Sequence, residues 1–309
     1  MLRGETSTTG QNAVAISDLT EQLGRSLEGL VATVTEPFSD TVVRLGVTGL
    51  SRAGKTVFIT GLVANLLDRG RMPQLSAEAS RRIEAAYLQP QPDDTIPRFD
   101  FEGHLAALTG DAPHWPDSTR AVSELRLSFR VKPAGLMAAI TGSQTVHLDI
   151  VDYPGEWLLD LALLDKSYAR WAEDTLTRMA RRPEGAAYLA TARAEDGSLR
   201  FDEMRAQGLA QSFTEYLQAA RAAGWSDCTP GRFLLPGELA GSPVLTFAPI
   251  PEPASASRSS LWHEMERRFE AYKSKVVKPF FSAHFARIDR QVVLVDVLGA
   301  IHAGPQALE

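Results

Sequence analysis

The chain of 309 residues carries 32 Lys and Arg against 38 Asp and Glu, a net charge of −6, with 44% apolar and 23% charged residues. That is a globular composition with material for a real core, long enough for two domains or one large domain with an insertion, and its acidic balance argues against a nucleic-acid-binding surface spread over the whole chain, while leaving room for a local basic patch. Cys228 is the only cysteine, which excludes an intrachain disulfide and a cysteine-based zinc site; with no run of ~18 apolar residues and no signal-peptide core, the chain reads as cytoplasmic, any membrane association being peripheral.

Residues 1–40 read as a polar tail followed by an amphipathic helix, in which Leu19, Leu23, Leu27, Leu30 and Val31 fall at helical spacing after a cap at Ser17 or Asp18. Thr41 to Thr48 is β-branched and apolar and reads as a strand, and Val57 to Leu67 has the apolar spacing of a helix. Between them Gly49-Leu-Ser-Arg-Ala-Gly-Lys-Thr56 matches G-x-x-x-x-G-K-[ST] in the strand–loop–helix setting that a phosphate loop requires. The N–H groups of Ser51, Arg52, Ala53, Gly54, Lys55, Thr56 and Val57 would then face the phosphates, helped by the helix dipole. Lys55 would set a cation on the β- and γ-oxygens, and the Thr56 hydroxyl would ligate Mg²⁺.

Ala77 to Tyr87 reads as a second helix, and three prolines make residues 89–97 a loop. The stretches around Phe99–His104 and Gly110–Arg120 read as irregular. Glu124 to Val131 alternates apolar and polar, and Thr145 to Val151 is extended; the two are expected to be adjacent strands. From Leu158 to about Ala223 the pattern is helical, broken near Arg182-Pro183 and Ala194–Gly197. Pro243–Pro249 reads as a short strand and Ile250–Ser260 as a mobile connection. A long helix is expected from Leu261 to Arg287, interrupted at Pro279, and then a buried-type strand from Gln291 to Leu298.

A phosphate loop needs an acidic group at the end of a neighbouring apolar strand to orient Mg²⁺ from a second side. Asp152-Tyr-Pro-Gly155 supplies it in the D-x-x-G spacing of GTPases, where the glycine N–H reads the γ-phosphate. Glu156 stands where many GTPases place a water-orienting glutamine; it is read either in that role or as a solvated residue favoured by the helix dipole. Trp157 reads as an anchor of the turn in the core. Thr119 is the candidate switch threonine for Mg²⁺ and the γ-phosphate, Arg120 could neutralise phosphate charge, and Trp115 offers a flat face to base or ribose; the other reading is an exposed turn.

Taken together, Gly46–Thr56, Trp115–Arg120, Asp149–Trp157 and Arg287–Leu298 resemble the YcjX family of stress-associated, GTPase-like proteins of proteobacteria. The resemblance implies an α/β P-loop NTPase fold with a Ras-like core sheet and an inserted all-α domain. It divides the chain into a first core part at 41–157, a helical insertion at 158–240 and a second core part at 241–309. It implies binding of GTP or GDP, and a link to the phage-shock response and its membrane partner proteins, hence a cytoplasmic protein that reaches the inner membrane through a partner. The Thr-Lys-x-Asp or Asn-Lys-x-Asp run with which such proteins read guanine is not found in this chain, which resembles a family member cut short. Phosphate binding therefore rests on the residues, and guanine on the resemblance.

The expected function is a slow, Mg²⁺-dependent GTPase switch with Lys55, Glu156 and Thr119 as catalytic residues, and Thr56, Thr119 and Asp152 around the metal. The alternative is a partner-binding module whose nucleotide is structural or vestigial. A phosphotransferase is a third reading, with Arg178, Arg181 and Arg182 as its only local arginine cluster.

Overall fold

A computed structural model describes residues 41–68, 72–116, 121–133 and 142–304. The amphipathic helix expected within 18–34 and the switch residues Thr119 and Arg120 lie outside the described residues. The elements in chain order begin with β1 (Thr41–Gly49), α1 (Lys55–Leu67), α2 (Ser76–Ala79), β2 (Ile83–Gln89), α3 (Phe101–Thr109), β3 (Ser123–Val131) and β4 (Gln144–Asp152). They continue with α4 (Gly155–Leu158), α5 (Tyr168–Met179), α6 (Ala186–Ala194), α7 (Glu203–Ala222), α8 (Gly231–Leu234), α9 (Leu261–Tyr272), α10 (Lys278–His284), β5 (Arg290–Leu294) and α11 (Val297–Ala303). The five strands form one sheet in the order β2-β3-β4-β1-β5.

The described residues divide into two compact units, one of 41–45, 57–68, 72–116, 124–133 and 142–151, the other of 46–56, 121–123 and 152–304. In the first unit, Leu125 and Leu127 on β3 are fully buried, as their alternation requires. On β4 the fully buried Asp149 takes a two-pronged hydrogen bond from Arg126, at 2.6 and 2.7 Å, with Arg44 at 3.8 Å. A charge is tolerated there because it is paired on both oxygens.

Two expectations fail in this unit. Residues 83–89 are a strand, paired antiparallel to β3 with Tyr87 opposite Ser128 and Gln89 opposite Arg126. The expected helix is confined to Ser76–Ala79 and ends before Arg81, whose φ is +55°. Glu, Ala and Leu favour helix locally, and pairing with β3 overrides them. The irregular stretch after Phe99 contains α3 instead, started by the Asp100 side chain, which accepts from the Gly103 N–H.

The second unit is mostly helical and has its own aromatic core. Trp171 of α5 stacks on Phe269 of α9, ring centroids 4.9 Å apart, and meets Phe213 and Phe247 edge to face. On α7 the buried face runs through Ala206, Leu209, Ala210, Phe213, Leu217 and Ala220, a helical period.

Pro243–Leu245 is a 3₁₀ turn, not a strand, and the chain beyond it is buried without a ladder. Tyrosine hydroxyls from α5 and α6 take over that pairing: Tyr168 donates to the Ala248 carbonyl at 2.7 Å and Tyr188 to that of Pro249 at 2.9 Å. Ile250 is fully buried, so the connection expected to be mobile is anchored at its start, and at its end Ser260 caps α9. The interruption near Pro279 is a π-helical turn, Lys273–Val277, whose wider backbone absorbs the missing N–H and the ring of the proline.

β5 corrects a further expectation. It is shorter than read, Val293 within it and Val295 just beyond it are 59% and 70% exposed, and it is the edge strand of the sheet, beside β1.

Candidate functional site

The loop leaves β1 at Gly49 and enters α1 at Lys55. Its turn is closed by the Ala53 N–H donating to the Leu50 carbonyl at 3.1 Å, and Arg52 and Gly54 hold φ of +69° and +89°. Glycine takes such a conformation without strain, which accounts for Gly54. The Lys55 ammonium is folded back under the loop, donating to the Gly49 carbonyl at 2.7 Å, and the residue is 6% exposed. Burial holds its pKa below the ordinary lysine value, while the charges of Asp152 and Glu156 pull it up and that of Arg221 pushes it down.

β4 delivers the acidic half of the site. The Tyr153 N–H reaches the Val47 carbonyl at 3.3 Å, which keeps the end of β4 beside β1 and brings the buried Asp152 to the loop region. Gly155 lies against the loop backbone: a Cβ on it would stand 2.4 Å from the Gly49 carbonyl carbon and 2.8 Å from the Leu50 nitrogen. Glu156 is 5% exposed, so it is not a solvated residue. Its Oε1 accepts from the Ser51 N–H at 3.1 Å and is ion-paired with the Arg221 guanidinium at 2.9 Å. Trp157 anchors the turn as expected, donating through Nε1 to the Leu235 carbonyl at 3.0 Å beneath the Arg232 guanidinium.

Ser51, Arg52, Ala53, Gly54, Lys55 and Thr56 thus lie on one loop, with Asp152, Gly155 and Glu156 gathered against it, and Val57 continues into α1. Trp115 is 78% exposed. Thr119 and Arg120, outside the described residues, are not placed. The arginine cluster offered for a phosphotransferase is engaged elsewhere: Arg178 and Arg182 both bond Asp227, at 3.1 and 2.7 Å, and Arg182 lies 4.1 Å over the Trp225 ring. The residue that sequence reasoning missed is Arg221. It sits in the last turn of α7, where a basic residue is ordinary because of the helix dipole, so no motif marks it.

Among the described residues no group of three or more His, Cys, Asp or Glu could hold a metal by itself, and no helix is long and apolar enough to cross a membrane. Thr56 and Asp152, 8% and 1% exposed, offer a hydroxyl and a carboxylate, hard oxygen donors that suit Mg²⁺ when phosphates complete its shell.

The chain is 40% identical over 295 residues to a protein of Shewanella oneidensis named "Ras-like GTPase YcjX", the match covering 88% of this chain and 61% of that protein. It is 42% identical over 282 residues to the protein of the same name in Escherichia coli, covering 87% of this chain and 61% of the relative. The chain thus spans about three-fifths of the length of the curated relatives it matches. With residues 43–309 matched by the YcjX-like family, DUF463, and relatives at this identity, the chain belongs to that family.

Proposed function

We propose that this chain binds GTP and GDP with Mg²⁺ and hydrolyses GTP slowly, as a guanine-nucleotide switch. The observation that carries the reading is the packing of Gly155 and Glu156 against a phosphate loop whose lysine is buried and feels the charges of Asp152 and Glu156. The printed name of both relatives supports guanine. In this reading the loop N–H groups cradle the phosphates, Lys55 exchanges the Gly49 carbonyl for phosphate oxygens, and Thr56 and Asp152 hold the metal. Mg²⁺, when bound, supplies charge neutralisation between the β- and γ-phosphates. The Gly155 N–H and Thr119 sense the γ-phosphate, Arg120 neutralises phosphate charge, Trp115 offers a flat face to base or ribose, and Glu156 orders the attacking water.

The helical block 158–240 acts as an insertion in the core, and the switch serves a stress response through a protein partner, reached from the cytoplasm at the inner membrane. Calorimetric titration with GDP, GTP and ATP, with single-turnover hydrolysis by the wild type, Lys55→Ala and Glu156→Ala, tests the reading. A guanine preference with loss of binding in Lys55→Ala is expected. Equal and weak binding of all three nucleotides would turn the reading to a partner-binding module with a vestigial site, and unchanged rates in both variants would sink the mechanism.

A further inference from the structure

The phosphate loop is met by a positive charge from the helical part of the same unit. Arg221 closes the last turn of α7, and Phe213, Leu217 and Ala220 on that helix are buried in the aromatic core, so the helix end is fixed rather than free to swing. The guanidinium is 30% exposed and its partner carboxylate 6%. The Ser51 N–H donates to Oε1 of Glu156 at 3.1 Å and the Arg221 guanidinium is ion-paired with the same oxygen at 2.9 Å, so one carboxylate oxygen links the guanidinium to the loop backbone. Its charge is also felt at Lys55. A loop N–H and a guanidinium therefore meet at one carboxylate oxygen, with the Lys55 ammonium held at the Gly49 carbonyl of the same loop. A phosphoryl group carries more charge and more acceptor oxygens than a carboxylate, and competes for the same donors.

We propose that Arg221 is a catalytic arginine supplied by the chain to its own phosphate loop; the proposal rests on the GTPase reading above. With a triphosphate in the loop, the Arg221 fork turns from Glu156 to the γ-phosphoryl oxygens. The water oxygen forms a bond to the γ-phosphorus, and the bond from that phosphorus to the β,γ-bridging oxygen breaks. The electron pair leaves on the diphosphate and the proton of the water ends on inorganic phosphate. Arg221 neutralises the charge spread over the γ-oxygens and the bridging oxygen during this exchange. Glu156, relieved of its ion pair and of the Ser51 N–H, accepts a hydrogen bond from the water. The ion pair in this structure is thereby a resting place for both groups, and α7 is the element that sets the reach of the arginine.

The test uses the full chain and compares wild type, Arg221→Ala, Arg221→Lys and Lys55→Ala for GDP affinity, single-turnover GTP hydrolysis and retention of GDP with fluoroaluminate, a mimic of the transferring phosphoryl group. Arg221→Ala is expected to keep GDP affinity within about threefold while hydrolysis falls on the order of 10²- to 10³-fold and the fluoroaluminate effect disappears. Arg221→Lys keeps a cation but not the planar fork, and is expected to recover less than about a tenth of the lost rate. If Arg221→Ala fails to fold, the Lys variant decides: a rate within about threefold of wild type in either folded variant overturns the proposal. Failure of the GTPase reading shows differently, as a wild type that neither prefers guanine nucleotides nor turns over GTP, or as Lys55→Ala behaving like wild type.

Discussion

Gly155 lies against Gly49 with no room for a side chain between them: a Cβ on Gly155 would stand 2.4 Å from the Gly49 carbonyl carbon and 2.5 Å from its oxygen. The obstacle is backbone, which cannot rotate away as a side-chain tip would. Gly155→Ala is therefore expected to push the end of β4 off the loop, at a cost of about 1–3 kcal/mol in stability and at least about tenfold in nucleotide affinity. Chemical denaturation and titration with GDP check it; an alanine variant that binds like wild type would show that the two backbones separate without consequence.

Asp160 makes stability depend on pH. The residue is 2% exposed, accepts from the Gly231 N–H at 2.8 Å and from the Tyr272 hydroxyl, and burial pushes its pKa from an ordinary 3.8 up to about 7 although both donors pull it down. Between those values the folded chain holds a proton that the unfolded chain has released. This contribution is full below about pH 4 and is lost as pH rises through about 7, on the order of 4 kcal/mol at most. Asp160→Asn keeps the shape without the titration, so the stability of wild type relative to the variant should fall across that window. A difference that stays flat with pH in urea melts would refute the assignment.

Arg126 and Asp149 form a pair whose halves are not equivalent. Removing the guanidinium leaves the fully buried carboxylate with only Arg44, at 3.8 Å. Arg126→Met is expected to cost about 3–5 kcal/mol, and Arg126→Met with Asp149→Leu to recover most of it, since an apolar pair carries no stranded charge. Denaturant midpoints of the two variants measure this, and equal stability would contradict it.

Cys228 is expected to be inert. It is 4% exposed, its thiol donates to the Trp225 carbonyl at 3.4 Å, and burial, with the Asp227 charge beside it, pushes its pKa up to about 11. Only about one thiol in a thousand would be ionised at pH 8, so a disulfide reagent should label the folded chain far more slowly than the chain in denaturant. Equal labelling rates would mean that this part of the helical block opens readily.

The half of the site made of backbone and short-range geometry was readable from residue types. A phosphate loop needs glycine, lysine and threonine at set spacings, and an acidic strand end needs only Ile150-Val-Asp152 followed by a glycine that can approach the loop. What depended on distant partners was not readable. Ile83–Gln89 carries helix-forming residues and becomes a strand through its pairing with β3. Phe247 and Ala248 are buried as irregular backbone because tyrosines on α5 and α6 hold the carbonyls of Ala248 and Pro249. Arg221 meets Glu156 only through the packing of α7, and nothing adjacent to it in the chain distinguishes it from any other basic residue at a helix end. Asp100, three residues before Gly103 and ahead of Leu105-Ala-Ala-Leu108, is by contrast a legible helix start, since a capping side chain and the apolar residues after it are both local.

The placement of the aromatic residues bears on how folding experiments on this chain will read. Of the five tryptophans, Trp157, Trp171 and Trp262 are buried in the helical unit and Trp225 packs against its core under Arg182, whereas Trp115 of the other unit is 78% exposed. Buried indoles change their emission when their surroundings melt, and one already in water changes little. Tryptophan fluorescence will thus follow the helices and remain almost blind to β2 and β3, so a single emission curve, however smooth, reports the unfolding of one unit and calls for a backbone-sensitive signal beside it.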